Sequence, residues 1–364
     1  MFCVINYDSF KKLDIKIRSG IQEAKEVYQK RLQKIKELPL RGIKDETLVY
    51  VETQELLKQL DLVEEVYQKV SAGKKVKDMV LIDSFHSATI EGARTTVAKV
   101  RRAFELPKTK DDKMVVNTVK GMNFALEKEI TTQNLGELWK IVVKDVCENE
   151  GVQGELYRND MVRVGSISET VHVPEKPEKI AEKMQDMFAF SNGNSIHPIL
   201  VSFLLHFYFV YIHPMCDGNG RTARIVMNSY LYHHGVKKIT YLPISRSINE
   251  NLAGYFSSIK ECEENIEVNG NQLLDVTPFL VYMLNVFEDC ILNSIASEHE
   301  LNELENKVME RMKKIGKGAE ISVKKCAGML KVVENEALDV LDSLAEKGYV
   351  VKKTEDGIDI YRMV

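Results

Sequence analysis

Several features that mark specialised protein classes are missing from this 364-residue chain. Its six cysteines, Cys3, Cys147, Cys216, Cys262, Cys290 and Cys326, are scattered and form no CxxC pair. That argues against a disulfide framework and a cysteine-built zinc site, and fits a reducing compartment. There is no surplus of positive charge either: 50 Lys and Arg against 54 Asp and Glu leave a formal charge of -4. Neither nucleic acid nor an acidic membrane would be captured by electrostatics alone. No hydrophobic run is long. The most apolar segment, 199–212, spans fourteen residues and includes Ser202 and His206; it is short for a bilayer and is expected to be a helix buried on all sides. The first residues lack a basic start followed by an apolar stretch, so a cytoplasmic protein is expected, with no membrane partner. Internal repeats and low-complexity segments are absent. What remains is a chain with 44% hydrophobic and 29% charged residues, a globular composition with room for two or three domains.

Helical periodicity dominates that chain. It predicts helices over 19–38, 45–70, 78–91, 95–106, 117–130 and 132–146, with 107–113 as a solvated turn. Residues 151–174 change character: Gly151, Gly154 and Gly165 with Met161-Val-Arg-Val and Val171-His-Val-Pro174 suggest a short hairpin. Helices follow over 179–191, 199–211, 221–234, 247–264 and 277–297. From residue 300 a charged helix, two further helical patterns and a hairpin around Asp356-Gly357 suggest a separate unit resembling a winged helix-turn-helix. Its candidate second helix carries Glu334, Glu336, Asp339, Asp342 and Glu346 with only Lys347 opposed to them. A helix that enters a major groove should be basic, so protein interaction is expected there ahead of DNA binding.

One twelve-residue string concentrates chemistry: His213-Pro-Met-Cys-Asp217-Gly-Asn219-Gly-Arg221-Thr-Ala-Arg224. Glycines flanking an amide allow consecutive N–H groups to open towards an anion. Arg221 and Arg224, three residues apart in a first helical turn, offer two multidentate phosphate clamps. Asp217 is a hard oxygen ligand suited to Mg²⁺, and His213 can take a proton near neutral pH.

The string resembles the signature of the Fic (Fido) family, H-x-F-x-D/E-G-N-G-R-x-x-R, with Met215 in the usual place of Phe. Ser87-Ala-Thr-Ile-Glu91-Gly92 is similar to that family's inhibitory motif, Ser/Thr-x-x-x-Glu-Gly/Asn, in the class whose inhibitory helix precedes the catalytic segment. The resemblance covers roughly 78–295. It implies a mainly α fold: a Fic-type helical bundle with a small β-hairpin flap, here followed by the winged helix-turn-helix-like domain. The implied division is 1–110 for an N-terminal helical region with the inhibitory helix at about 78–92, 111–297 for the Fic core with a flap at about 160–174, and 298–364 for the C-terminal module.

The implied activity is transfer of AMP from ATP, with Mg²⁺, to Tyr, Thr or Ser hydroxyls of target proteins, self-modification included. In that scheme His213 is the catalytic base and Asp217 the metal ligand. Gly218, Asn219, Gly220, Arg221 and Arg224 bind the phosphates, with Arg221 on the β- and Arg224 on the γ-phosphate. Tyr255 walls the adenine, and Glu263 stands eight residues on, where many relatives have Asn. Glu91, with Ser87 and Gly92, would compete for Arg224 and hold the enzyme off. Arg163, Val164, Gly165, Val171 and Val173 would form the flap, reached through the G-x-Y-R-like lead-in ending at Tyr157-Arg158. A deAMPylating hydrolase, another phosphate-group transferase and a nucleotide-sensing winged-helix regulator stay open as alternatives, as does self-association. His206, His197, His233 and His234 are read as structural.

Overall fold

The computed structural model describes residues 7–70, 76–147, 156–165, 170–264, 266–298, 301–316, 319–346, 349–355 and 358–363. The chain divides into two compact units between Ser294 and Ile295.

The first unit is built around the apolar segment singled out above. It forms the helix Pro198–Ile212, whose N-terminus is set by Pro at the first turn and by the His197 ring, which accepts from the Ile199 amide at 3.3 Å. Proline is suited to that position because its missing N–H has no helical partner to lose. Phe203, Phe207, Tyr208 and Phe209 are all fully buried, which accounts for the absence of a polar face; each contributes roughly 1.5–3 kcal/mol by leaving water. The helix stops at His213, which adopts a left-handed conformation (φ +53°). A short loop leads to Gly218 (φ +77°) and the partner helix Asn219–His233, which packs against the first. Helices Lys110–Glu127, Leu135–Val143, Val76–Ile90 and Pro177–Asn192 pack around this pair.

Two predicted helices are replaced in part by strands. Of 19–38, only Gln22–Leu32 is helical, and Ile35–Arg41 is a strand; of 45–70, Thr47–Val51 is a strand and Gln54–Gln68 a helix. The reason is burial with period two: Leu38 and Leu40 are buried between exposed neighbours, and the apolar run Leu48–Val51 is covered on both faces. The two strands pair antiparallel. Thr47–Val51 then pairs parallel with Asn271–Asp275, which pairs antiparallel with Ile266–Val268. The sheet's turn is bound to the helix Pro198–Ile212: Tyr208 Oη donates to the Arg41 carbonyl (2.9 Å), and the Ile43 amide donates to Tyr211 Oη (3.2 Å).

Other boundaries shift by a few residues. The predicted turn at 107–113 is already helical from Lys110, capped by the Thr109 hydroxyl, and the 247–264 pattern is two helices, Ile244–Glu250 and Leu252–Cys262, broken at Asn251. The hairpin expected near 160–174 is present as strands Val164–Gly165 and Thr170–His172. Gly151 and Gly154 lie outside the described residues.

The second unit contains the capping-box helix Glu303–Ile315, helices Val323–Leu330 and Glu334–Glu346, and a three-stranded antiparallel sheet. The sheet runs in the order Glu320–Ser322, Ile358–Met363, Val350–Glu355. Val308, Met312, Cys326, Leu341 and Tyr361 form its core. Asp342 of the acidic helix accepts from Lys352 Nζ at 3.2 Å, within this unit. Among the described residues no helix is long and apolar enough to cross a membrane.

Candidate functional site

The loop between the two central helices is held by bonds to backbone carbonyls and amides. Asn219 folds back on Met215, accepting from its amide and donating to its carbonyl, both at 2.8 Å. Trp139 Nε1 donates to the Asp217 carbonyl at 3.0 Å. Arg158 clasps the far side: Nε donates to the His213 carbonyl (2.8 Å), one terminal nitrogen to the Asp160 carbonyl (2.7 Å) and the other to the Glu175 carbonyl. Its own amide donates to the Pro214 carbonyl at 2.9 Å. Met215 is fully buried beneath the loop, so the thioether fills the place of the usual aromatic ring.

His213 enters this site as a neutral ring. Burial drives its pKa down to about 4 despite the opposing influence of Glu91. Its Nδ1 lies 3.4 Å from the Val210 carbonyl. A carbonyl can only accept, so the proton is assigned to Nδ1 and the lone pair to Nε2.

The two arginines differ. Arg224 Nε donates to Ser87 Oγ, and one terminal nitrogen donates to both the Ser87 carbonyl and Glu91 Oε1, all at 2.8 Å. Its other terminal nitrogen, Nη1, is buried and has no hydrogen-bond partner among the described residues. Arg221 turns inward: it donates to the Val142 carbonyl at 2.9 Å and approaches Asp217 Oδ1 at 3.5 Å, with 1% of its side chain exposed. Ser87 lies on the helix Val76–Ile90; Glu91 follows in the turn, and Gly92 (φ +92°) ends it. Gly220 lies under the Glu91 carboxylate, and a Cβ there would fall 2.0 Å from Oε1. One turn below Ser87, Asp83 accepts from the Ser245 amide at 2.7 Å, and burial raises its carboxyl to about 6.

A cavity of about 220 Å³ opens beside these groups. Glu91, His213 and Gly220 line one part of it; Tyr255, Phe256, Ile259, Lys260 and Glu263 line another, with Val164 and His172 of the hairpin. Tyr255 is buried and hydrogen-bonded to His206 Nε2 at 3.0 Å. Burial and nearby Arg224 lower His206 to about 3, so it remains neutral, and burial raises Tyr255 to about 12. His172 ties the hairpin down, with Nε2 2.7 Å from the Tyr211 carbonyl and Nδ1 2.8 Å from Glu263. Arg163 and Val173 are exposed; Gly165 and Val171 lie in the two short strands.

Of the residues singled out in the sequence, His213, Gly220, Glu91, Val164 and Tyr255 thus share one cavity. Ser87 and Arg224 stand directly behind it. Sequence reasoning missed the fastening residues Trp139 and His172, and it noted Arg158 only as the end of the flap's lead-in; their acceptors are mostly main-chain carbonyls and leave no mark in residue type. The spacing of Tyr255, Ile259 and Glu263 by four was a usable signal, since it places all three on one helix face.

A catalytic metal is a question of donor chemistry here. No group of three or more His, Cys, Asp or Glu that could cage an ion occurs among the described residues. Asp217, 40% exposed, is a lone carboxylate at the loop. One carboxylate completed by substrate phosphates and water is the usual Mg²⁺ arrangement, so the donor set fits that ion and no all-protein cage.

Residues 129–231 match the model of the Fic/DOC family. Among curated proteins, the chain is similar to protein adenylyltransferase Fic of Drosophila grimshawi, 30% identical over 218 residues, covering 56% of this chain and 40% of that protein. The counterpart from Drosophila mojavensis is 28% identical over 242 residues, covering 63% and 44%. The chain therefore spans less than half the length of these relatives. Among solved structures, a Fic family protein of Desulfovibrio desulfuricans superposes with a TM-score of 0.59 at 17% identity, over 86% of this chain and 97% of that one. A fragment of Fic-1 from Caenorhabditis elegans gives 0.51 at 20%, over 67% and 72%. At these identities the likeness establishes the fold.

Proposed function

We propose that the protein transfers AMP from ATP to hydroxyl groups of Tyr, Thr or Ser on target proteins, and on itself, and that Glu91 restrains it. The observation that carries this reading is the shared cavity: a neutral imidazole, the glycine-opened start of a helix and the Glu91 carboxylate line it, and the arginine that this carboxylate occupies stands behind them. The first N–H groups of the helix Asn219–His233 have no acceptor within the helix and favour an anion. The apolar walls Ile90, Val210, Tyr255 and Ile259 suit a purine.

In the proposed step the acceptor hydroxyl gives its proton to His213 Nε2 as its oxygen bonds the α-phosphorus. The bond from that phosphorus to the bridging oxygen breaks, and pyrophosphate leaves. Gly218, Asn219 and Gly220 stabilise charge on the phosphate oxygens. Arg224 receives the γ-phosphate once Glu91 withdraws, and Arg221 the β-phosphate once its side chain turns from Val142. Asp217 would hold Mg²⁺, which supplies charge neutralisation on the phosphates when bound.

Strands Val164–Gly165 and Thr170–His172 offer an edge on which an extended target segment could pair through its backbone. Residues 1–110 carry the restraining segment, 111–297 the catalytic core, and 298–364 a winged-helix-like module that contacts protein ahead of DNA; its exposed Glu334, Glu336 and Asp339 support that choice. A cytoplasmic setting matches the scattered cysteines.

The test incubates Glu91→Gly protein with α-labelled and γ-labelled ATP. Label from the α-position alone should appear on protein, more strongly than in the wild type, and His213→Ala should abolish it. γ-label on protein would refute adenylylation, and tight ATP binding without either label would favour a nucleotide sensor.

A further inference from the structure

Two of the scattered cysteines meet. Cys147, just beyond the helix Leu135–Val143, has its sulfur 4.0 Å from that of Cys216, which precedes Asp217 in the loop. They are 69 residues apart in sequence, and both thiols are free and half-buried. The surroundings are closely built. Arg221 bonds the Val142 carbonyl, Trp139 bonds the Asp217 carbonyl, and Asn117 Nδ2 donates to the Lys144 carbonyl at 2.7 Å. The Val142 and Val143 side chains approach Gly218, so that a Cβ there would meet them at 3.3 and 3.0 Å. The dithiol thus bridges two segments whose mutual position sets where Asp217 stands.

We infer that Cys147 and Cys216 form an oxidation site at which a peroxide closes a disulfide and displaces the Asp217 loop. One thiol and a hydroperoxide give a sulfenic acid and water or an alcohol. The second thiol then attacks that sulfur, forming the S–S bond and releasing water. Overall, the two thiols lose two hydrogens and the peroxide is reduced. Which cysteine meets the oxidant first does not alter the product. The bond requires the sulfurs to close from 4.0 Å to about 2.0 Å, a change shared between rotation of the two side chains and movement of the packed segments that carry them. The residue carried with the loop is the carboxylate proposed to hold the metal. A displacement of even 1 Å at such a position costs on the order of a hundredfold in rate. The effect on activity rests on the adenylyltransferase reading; the chemistry of the thiols does not.

The experiment treats full-length Glu91→Gly protein with a small excess of hydrogen peroxide. The expected product has lost two hydrogens by mass, and a Cys147–Cys216 linkage appears in unreduced peptide maps. Emission of Trp139, the chain's single tryptophan, should shift because its indole bonds the displaced loop. AMP transfer should fall by roughly tenfold or more, and dithiothreitol should reverse all three changes. Cys147→Ser should show none of them, and Cys147→Ala serves if the serine variant folds poorly. Peroxide treatment that leaves both thiols alkylatable, or carries one to a sulfinic acid without linkage, overturns the inference; so does a linkage that forms without moving the tryptophan signal. If the linkage and emission shift occur but the reduced protein transfers no AMP, the dithiol stands and the adenylyltransferase reading fails.

Discussion

Replacing Gly220 by alanine tests the restraint with one added methyl group. A Cβ at this position would lie 2.0 Å from Glu91 Oε1, 2.8 Å from its Cδ and 3.2 Å from Arg224 Nη1. Gly220 is in the first turn of the helix Asn219–His233 and does not have a positive φ, so alanine is compatible with its backbone. The group that must yield is the end of the Glu91 side chain, which would lose its 2.8 Å pairing with Arg224. Breaking a fully buried pair from one side costs about 3–5 kcal/mol, and an exposed pair is worth about 0.2–1 kcal/mol. Here Arg224 is 1% exposed and Glu91 32%, and Arg224 keeps both bonds to Ser87, so we expect about 1–2 kcal/mol of destabilisation. In a Glu91→Gly background the obstacle is gone, and alanine should be neutral or stabilising by about 0.5 kcal/mol through its lower backbone entropy. Urea unfolding of the four proteins, followed by Trp139 emission, closes the cycle. A coupling of about 1–2 kcal/mol is expected; equal destabilisation in both backgrounds, within about 0.3–0.5 kcal/mol, would refute the packing argument.

Two further outcomes follow from the same geometry. With the His213 pKa brought down to about 4 by burial, and Glu91 among the groups that raise it, the acid limb of kcat/KM for Glu91→Gly protein should lie at or below about pH 4, and a limb near 6.5 would contradict the buried ring. The sign for stability agrees: a depressed folded pKa lets the unfolded chain bind the proton first. The contribution is therefore present above about pH 6.5 and is lost as pH falls towards 4, with His206 acting in the same direction at its lower value of about 3. Arg158→Lys should lower kcat with little change in KM for ATP, because an ammonium cannot span the His213, Asp160 and Glu175 carbonyls together. A loss of about 2–3 kcal/mol in urea unfolding should accompany it, and an unchanged kcat would show that the clasp does not position the loop.

The loop from His213 to Arg224 could be read in the sequence because its chemistry is contiguous: ring, carboxylate, glycines and guanidinium groups fall within twelve residues. Glu91 was legible for a different reason, through the resemblance of the segment Ser87–Gly92 to an inhibitory motif, and both Ser87 and Glu91 lie against the Arg224 guanidinium. Strands Ile35–Arg41 and Thr47–Val51 were not. Lys36 and Glu37 in the first admit a helical reading, and the second is held in its sheet on one side by residues more than two hundred positions away, as in Thr47 opposite Leu273. The inward turn of Arg221 was equally hidden, since its acceptor is the main-chain carbonyl of Val142. Residue identity announces side-chain chemistry; it says little about which peptide groups will be near.

Glu91 stands just past the end of its helix, its amide bonded to the Ala88 carbonyl and the chain reversing at Gly92. Withdrawal of the carboxylate therefore asks for torsions within one side chain and leaves the bundle's packing untouched. Such rotations take nanoseconds, far less than the time in which helices undock. Under the proposed restraint by Glu91, such a latch would respond to rival anions for one guanidinium rather than to any loosening of the fold.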